Sequence, residues 1–189
     1  MPLLVDGASG RLVSNESADI LRMLDACCEV GRTLRPKALA REIDLWNRIV
    51  HRDVDEGVYR AGFAESQAAC ETAVLGIFGA LERIEARLGR SRWLAGDAFT
   101  EADLRLFPTL ARFDAAYYTA FRCNWKRLTE FPNLRAYARE IYAMPGVAET
   151  VAFDAYRRGC NSPSETRNPL GIVPIGPRMP DWNAPHGRG

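Results

Sequence analysis

The segment from Gly96 to Phe107 constrains the fold more than any other, because it has the sequence of a buried helix start. Thr100 is a preferred N-cap residue, and its hydroxyl is expected to accept a hydrogen bond from the N–H of Asp103. The Asp103 carboxylate is expected to reach back to the N–H of Thr100 and complete a capping box. Apolar residues then recur at helical spacing. The segment predicts a capped core helix, with Thr100 and Asp103 as structural capping residues without chemistry of their own.

The chain before this helix begins with a different pattern. Two short apolar runs, Leu3–Val5 and Arg11–Val13, flank a glycine-containing turn, and a helix is expected to open at Ser14–Ser17. A hairpin with one helix cannot bury a core alone, so these elements must pack against another part of the protein.

The remainder of the sequence is predominantly helical in its periodicity. Helices are predicted over Glu42–Arg52, over Glu65–Leu88, from Thr100 with a bend at Pro108, from Pro132, and over Val147–Arg158. Asp55–Gly57 is expected to break the first of these, which would leave Tyr59 in a loop. The segment from about residue 159 is rich in Pro, Gly, Ser and Asn and predicts an irregular tail on the surface.

Composition excludes several classes of function. The net charge of +1 gives no reason to expect a nucleic-acid partner, and no apolar run approaches the roughly 20 residues that a membrane span needs. Five cysteines without metal-site spacing favour a reduced, cytoplasmic protein, and with two histidines no metal site is expected.

Several motifs occur in a recognisable order along the chain. The helix start has the form Gly-Asp-x-x-Thr-x-Ala-Asp-Leu, which is similar to the folding motif of glutathione transferase helical domains. Five further motifs are Gly57–Ala64, Arg112–Asp114, Phe121–Asn124, Asn168–Pro174 and Pro185–Arg188. In this order the motifs resemble the glutathionyl-hydroquinone reductases, the Xi-class branch of the glutathione transferases. The resemblance extends from Pro2 to Arg188.

The resemblance implies a mainly α fold with two parts. Residues 1–31 would be the second half of a thioredoxin-like domain, a β-hairpin plus helix. Residues 32–189 would be the all-helical C-terminal domain of a glutathione transferase, with the irregular tail from about 159. The first half of the thioredoxin-like domain, with its nucleophilic cysteine, would precede Met1 and is absent from this chain. The family also implies a homodimer.

The resemblance assigns binding roles to five residues. Met1 and Pro2 would contact the cysteinyl part of glutathione through a cis peptide bond, although an edge-strand proline is the alternative. Glu16 and Ser17 would hold the γ-glutamyl end at a helix N-terminus, the alternative being an ordinary N-cap. Tyr59 would be catalytic and hydrogen-bond the hydroquinone oxygen, the alternative being a half-buried packing residue.

The tail departs from the family pattern at one position. A pocket tyrosine expected shortly before Asn168 is missing, and the segment Gly159–Asn161 stands there. Cys160 is a candidate replacement thiol, but a lone cysteine without a basic neighbour at a helix N-terminus is expected to be unreactive. Five other aromatic residues are interpreted as core or interface residues without a role: Trp46, Trp93, Trp125, Phe113 and Tyr117.

The resemblance implies a glutathione-dependent reduction. A cysteine thiolate would remove glutathione from a glutathionyl-hydroquinone, and a second glutathione would resolve the mixed disulfide. Glutathione would thus be a co-substrate and hydroquinones the partners. The chain lacks the nucleophile, so we expect it to be inactive alone. A non-catalytic helical interaction or dimerisation module and a general glutathione transferase that conjugates its substrates remain as alternatives.

Overall fold

The computed structural model describes residues 2–27 and 33–188. Strands β1 (Leu4–Val5) and β2 (Leu12–Ser14) form an antiparallel hairpin in which Leu4 lies opposite Ser14. The helices of the described part are α1 (Ser17–Cys27), α2 (Ala40–Ile49), α3 (Glu56–Gly62), α4 (Gln67–Leu88), α5 (Glu101–Arg112), α6 (Tyr118–Ala120), α7 (Pro132–Tyr142) and α8 (Phe153–Cys160). Met1, expected in the glutathione site, lies outside the described residues.

The helices from α2 onward enclose one hydrophobic core. Helix α4 packs against α3 and α7, and α5 packs against α2, α7 and α8. Fully buried side chains of this core are Ile43, Ile77, Leu81, Ile84, Leu106, Leu110, Leu134, Tyr137 and Ile141. The prediction of a mainly helical fold with a small hairpin is therefore confirmed. No helix of the described residues is long and apolar enough to cross a membrane.

The N-terminus of α5 is buried and polar. The Asp103 carboxylate accepts hydrogen bonds from the N–H of Thr100 (2.8 Å) and of Leu94 (2.9 Å), and from the hydroxyl of Tyr137 in α7 (3.0 Å). The Thr100 hydroxyl donates to the same carboxylate, while the N–H of Asp103 donates to the Thr100 carbonyl. The capping box predicted from the spacing of Thr100 and Asp103 is therefore present at the start of α5.

Glu101, in the first turn of α5, joins three other segments. Its carboxylate is 2% exposed and accepts hydrogen bonds from Arg22 in α1 and Arg35 before α2, at 3.0 and 2.8 Å. The Asn47 amide in α2 donates to it at 2.8 Å. Burial alone would raise the pKa of Glu101, but these donors and the charge of Arg22 outweigh burial and lower it. Glu101 therefore remains ionised and holds α1 against the helical core.

The hairpin and α1 leave most of their apolar surface uncovered. Helix α1 has no buried residue. The exposed apolar side chains of this region are Leu3, Val5, Leu12, Val13, Met23 and Leu24. As the sequence predicts, these elements cannot bury a core of their own.

The predicted helix break at Asp55–Gly57 is wrong. Helix α2 continues through a π-type turn, Val50–Asp55, directly into α3, so Tyr59 lies on a helix and not in a loop. Gly57 serves close packing, because a Cβ there would lie 2.8 Å from the Ile77 side chain of α4. Gly62 likewise admits the ring of Phe121, which would lie 2.5 Å from an added Cβ. Gly57, which the sequence pattern marks as a helix breaker, instead permits close packing of two helices.

The last helix and the tail also differ from expectation. Helix α8 begins at Phe153, later than the predicted start at Val147, because a short 3-10 turn over Ala148–Thr150 precedes it. The tail is irregular, but it does not lie only on the surface. Trp182 is buried, with its ring 5.1 Å from that of Phe153. Arg188 donates to the buried carboxylate of Glu140 at 2.7 Å and thereby fastens the end of the tail.

We expect Asp103→Ala to destabilise the protein severely. The substitution leaves two backbone N–H groups and the Tyr137 hydroxyl without their acceptor in the core, so the loss should exceed about 3 kcal/mol. Chemical denaturation measures it. Asp97→Ala, at an exposed position in the preceding turn, is the control and should change stability by less than about 0.5 kcal/mol. Equal midpoints for the two variants would contradict the assigned role of Asp103.

Candidate functional site

Tyr59 lies at the centre of a cluster of aromatic side chains. Its ring is 48% exposed and stacks with Phe63 one turn on, at 6.5 Å between centroids. The ring of Phe121 lies 5.3 Å away and that of Tyr117 6.1 Å away, edge-on. Pairs at these distances contribute about 0.5–1.5 kcal/mol each beyond simple burial. The cluster therefore fixes the Tyr59 ring while part of it faces solvent.

Tyr59 and Phe63 line an open cavity between α3 and the first half of α4. Its volume is about 930 Å³. The other lining residues are Arg60, Ala64, Glu65, Ala68, Ala69, Thr72, Ala73 and Gly76. The wall is thus mostly apolar and carries two aromatic rings, one of which is the phenol of Tyr59. Such a wall suits a planar aromatic ligand.

Tyr117 is the residue that sequence reasoning missed. It lies in a second π-type turn, Phe113–Tyr117, and was interpreted as a core aromatic without a role. Its side chain is buried, and burial together with the neighbouring Tyr59 raises the pKa of the Tyr117 phenol far above its ordinary value. The phenol therefore stays protonated. No local pattern indicates this pairing, because it arises from packing between segments that are far apart in sequence.

Cys160 ends α8 near this cluster. Burial raises the pKa of its thiol, and the charges of Arg112 and Arg167 offset only part of the rise. At neutral pH the group is therefore the thiol and not the thiolate that attacks sulfur. In the part of the chain described here, no three His, Cys, Asp or Glu side chains form a metal-binding group.

Comparison with known proteins finds sequences that are similar to this chain. Residues 58–140 match the family "Glutathione S-transferase, C-terminal domain". The whole chain is 45% identical to glutathionyl-hydroquinone reductase YqjG of Escherichia coli K12 and covers 58% of it. It is 38% identical to glutathionyl-hydroquinone reductase PcpF of Sphingobium chlorophenolicum, with 95% of this chain and 59% of PcpF covered. The chain is thus similar, over 95% or more of its length, to part of two glutathionyl-hydroquinone reductases.

Solved structures agree with this similarity. The glutathione-bound structure of YqjG superimposes with a TM-score of 0.94 at 44% identity, over 99% of this chain and 62% of that one. The Xi-class glutathione transferase of Natrialba magadii gives a TM-score of 0.93 at 38% identity, over 98% of this chain and 58% of that one. This chain thus spans about three fifths of the length of these relatives.

The residues expected to bind glutathione lie at the start of the hairpin and at the start of α1. Pro2 is exposed, and the peptide bond that precedes it involves Met1, outside the described range. Ser17 is the first residue of α1, and the Glu16 carbonyl accepts the N–H of Ile20 at 3.0 Å. Glu16 and Ser17 are exposed at the helix N-terminus. Among the described residues, no hydrogen bond joins Pro2, Glu16 or Ser17 to Tyr59.

A half-buried carboxyl, that of Asp55, lies one helical turn before Tyr59. Asp55 accepts a hydrogen bond from the Thr109 hydroxyl of α5 at 2.6 Å. Burial raises the pKa of Asp55 from its ordinary value of 3.8 to about 6, although Thr109 and the charges of His51 and Arg105 lower it. The neighbouring Glu56 adds to the rise. Ionisation of Asp55 therefore opposes folding.

This pKa predicts that Asp55→Asn is stabilising in a pH-dependent way. The folded state favours the neutral carboxyl of Asp55. The stability that this carboxyl contributes is therefore fully present below about pH 4 and is lost as the pH rises through about 6. The amide retains an acceptor for Thr109 and cannot ionise. At about pH 7.5 the variant should be more stable than wild type by on the order of 1–3 kcal/mol. Urea denaturation across this pH range measures the gain, and a gain independent of pH would contradict the assignment.

Proposed function

We propose that this chain supplies the hydroquinone-binding part, and a portion of the glutathione site, of a glutathionyl-hydroquinone reductase. The observation that carries the proposal is the Tyr59 cavity, which occurs in a chain 45% identical along its whole length to such a reductase. The proposal includes a boundary near residue 31, between a thioredoxin-like portion and the helical domain.

In the proposed reaction, the nucleophile is a cysteine thiolate that is not part of this sequence. It attacks the sulfur of the glutathionyl group. A cysteine–glutathione disulfide forms, the carbon–sulfur bond to the ring breaks, and the ring carbon takes the electron pair and a proton. A second glutathione thiolate attacks the disulfide, which yields glutathione disulfide and restores the cysteine. Tyr59 would donate a hydrogen bond to the ring oxygen, and Phe63 would pack against the ring.

The glutathione contacts would come from the N-terminal segments. At the start of α1, the backbone N–H and the hydroxyl of Ser17 would bind the α-carboxylate of the γ-glutamyl end. Glu16 would hold the ammonium group beside it, and the backbone at Met1 and Pro2 would align the cysteinyl part. The exposed apolar side chains of the hairpin and α1 would be covered by the rest of a thioredoxin-like domain.

The same proposal includes the oligomeric state of the protein and its cellular compartment. The similarity favours a homodimer formed mainly through the helical domain, which sedimentation velocity tests: a clean monomer at micromolar concentration would contradict it. The cysteines Cys27, Cys70, Cys123 and Cys160 are unpaired, which supports a reduced, cytoplasmic setting.

A non-catalytic interaction module is the second candidate function. The uncovered apolar residues of the hairpin and α1 favour it, because exposed apolar surface of this kind binds partner proteins. The two candidates differ in whether the Tyr59 cavity takes part in chemistry once a nucleophile is present.

The 189-residue chain alone should not reduce glutathionyl-hydroquinones, and a fusion should. The added segment is a strand–helix–strand unit carrying a cysteine at a helix N-terminus, joined before Met1. Hydroquinone release, followed by chromatography, should be measurable for the fusion and absent for the chain alone, since the thiol of Cys160 is protonated. Within the fusion, Tyr59→Phe should lower kcat with little change in the affinity for glutathione. The fusion with Arg90→Gln, at an exposed position, is the control.

Two outcomes would redirect the proposal. Turnover by the unfused chain would make Cys160 the candidate nucleophile and would contradict the assignment of the reaction to an external thiolate. A well-folded fusion without turnover would favour the interaction module.

A further inference from the structure

Arg167 occupies an unusual position in the tail. Its guanidinium carbon lies 4.4 Å from the centroid of the Phe63 ring and 5.3 Å from that of Phe121. Phe63 is itself part of the cavity wall beside Tyr59. Arg167 does not itself line the cavity, but it places a permanent positive charge against Phe63, at the edge of the candidate site.

The backbone that carries Arg167 is held in place by hydrogen bonds. Ser164 and Asn168 exchange two backbone hydrogen bonds, at 3.1 and 3.0 Å, and close a tight loop around Arg167. The Asn168 side-chain amide donates to the carbonyls of Asn161 and Ile172, at 2.6 and 3.0 Å. The guanidinium therefore approaches the rings from a fixed loop and not from a free tail.

The charge of Arg167 is not neutralised within the part of the chain that the structure describes. Its Nε is buried and has no hydrogen-bond acceptor there. None of the ion pairs among residues 2–27 and 33–188 includes it. Ring faces attract the cation but supply no acceptor for its N–H groups. A half-buried guanidinium with unused donors is a strong binding site for a carboxylate or sulfonate.

We propose that Arg167 makes the acceptor site selective for aromatic substrates with an anionic substituent on the ring, such as a carboxylate or a sulfonate. The proposal rests on the proposed function and names its substrate class. The aromatic ring of the ligand lies against Tyr59 and Phe63, and its anionic group accepts hydrogen bonds from Arg167. The one carboxylate in the cavity wall, Glu65, is exposed to solvent and therefore opposes such a ligand only weakly.

The test compares two ligands that differ by one charge, hydroquinone and hydroquinone sulfonate. Binding to the 189-residue chain is measured by titration calorimetry. Wild type should bind the sulfonate about tenfold or more tightly than hydroquinone, the range expected for a charge-assisted hydrogen bond. Arg167→Gln should abolish the preference and leave hydroquinone binding unchanged, and Arg167→Lys should retain part of it. Arg90→Gln, at an exposed position just after α4, is the matched control and should bind like wild type.

A second measurement needs no variant. The Nε–H resonance of Arg167 in the wild-type NMR spectrum should shift on addition of the sulfonate and stay in place on addition of hydroquinone. Equal affinity of wild type for the two ligands, no binding of the sulfonate, or a preference that survives Arg167→Gln would each overturn the proposal. A purely structural role would lower the melting temperature of Arg167→Gln and weaken both ligands equally, which also counts against it.

The reductase assignment and the anion selectivity of Arg167 can be tested independently. If the cysteine-bearing fusion turns over neutral glutathionyl-hydroquinones but shows no charge preference, the anion selectivity is wrong and the reductase assignment stands. If the sulfonate binds through Arg167 but no fusion turns over either substrate, the reductase assignment is wrong and the chain retains an anion-selective aromatic binding site.

Discussion

The buried N-terminus of α5 holds the two parts of this chain together. Its first turn carries two carboxylates two residues apart, and they bind different partners. Asp103 accepts from the preceding loop and from Tyr137 of α7, so it organises the helical core. Glu101 accepts from Arg22 and Arg35, so it attaches α1. No residue of α1 is fully buried, so this polar contact is important for its attachment. The glutathione-site candidates at the start of α1 are thereby held relative to Tyr59.

Much of the helical architecture could be predicted because the relevant signals are local. The Thr100–Asp103 spacing and the apolar periodicity of α4 depend on residues within a few turns of each other, and α5 begins at Glu101 and α4 ends at Leu88 accordingly. Gly57 shows where this reasoning fails. A glycine in a loop and a glycine at a close helix contact look alike in sequence, and only the approach of Ile77 from α4 distinguishes them. The same ambiguity placed Tyr59 in a loop.

The candidate site is less predictable because it is assembled from distant segments. The resemblance to a family identified Tyr59 as a candidate, but nothing in the sequence near it indicates Tyr117 or Arg167. These residues reach the Tyr59 cluster through a π-type turn and through a tail loop closed by Asn168. Helical periodicity says nothing about such geometries, since a π-type turn shifts every following side chain relative to the 3.6-residue repeat. Side chains brought together by non-local packing are therefore found only in three dimensions.

The electrostatics around the Tyr59 cluster favour protonated side chains. Burial raises the pKa of Tyr117 and of Cys160, so both groups hold their protons at neutral pH. A thiolate needs positive potential, which a helix N-terminus supplies. The N-terminus of α1 carries the carboxylates of Glu16 and Asp19, which weaken its positive potential and can bind an ammonium group. The described residues around Tyr59 thus provide proton donors, an aromatic wall and a cation.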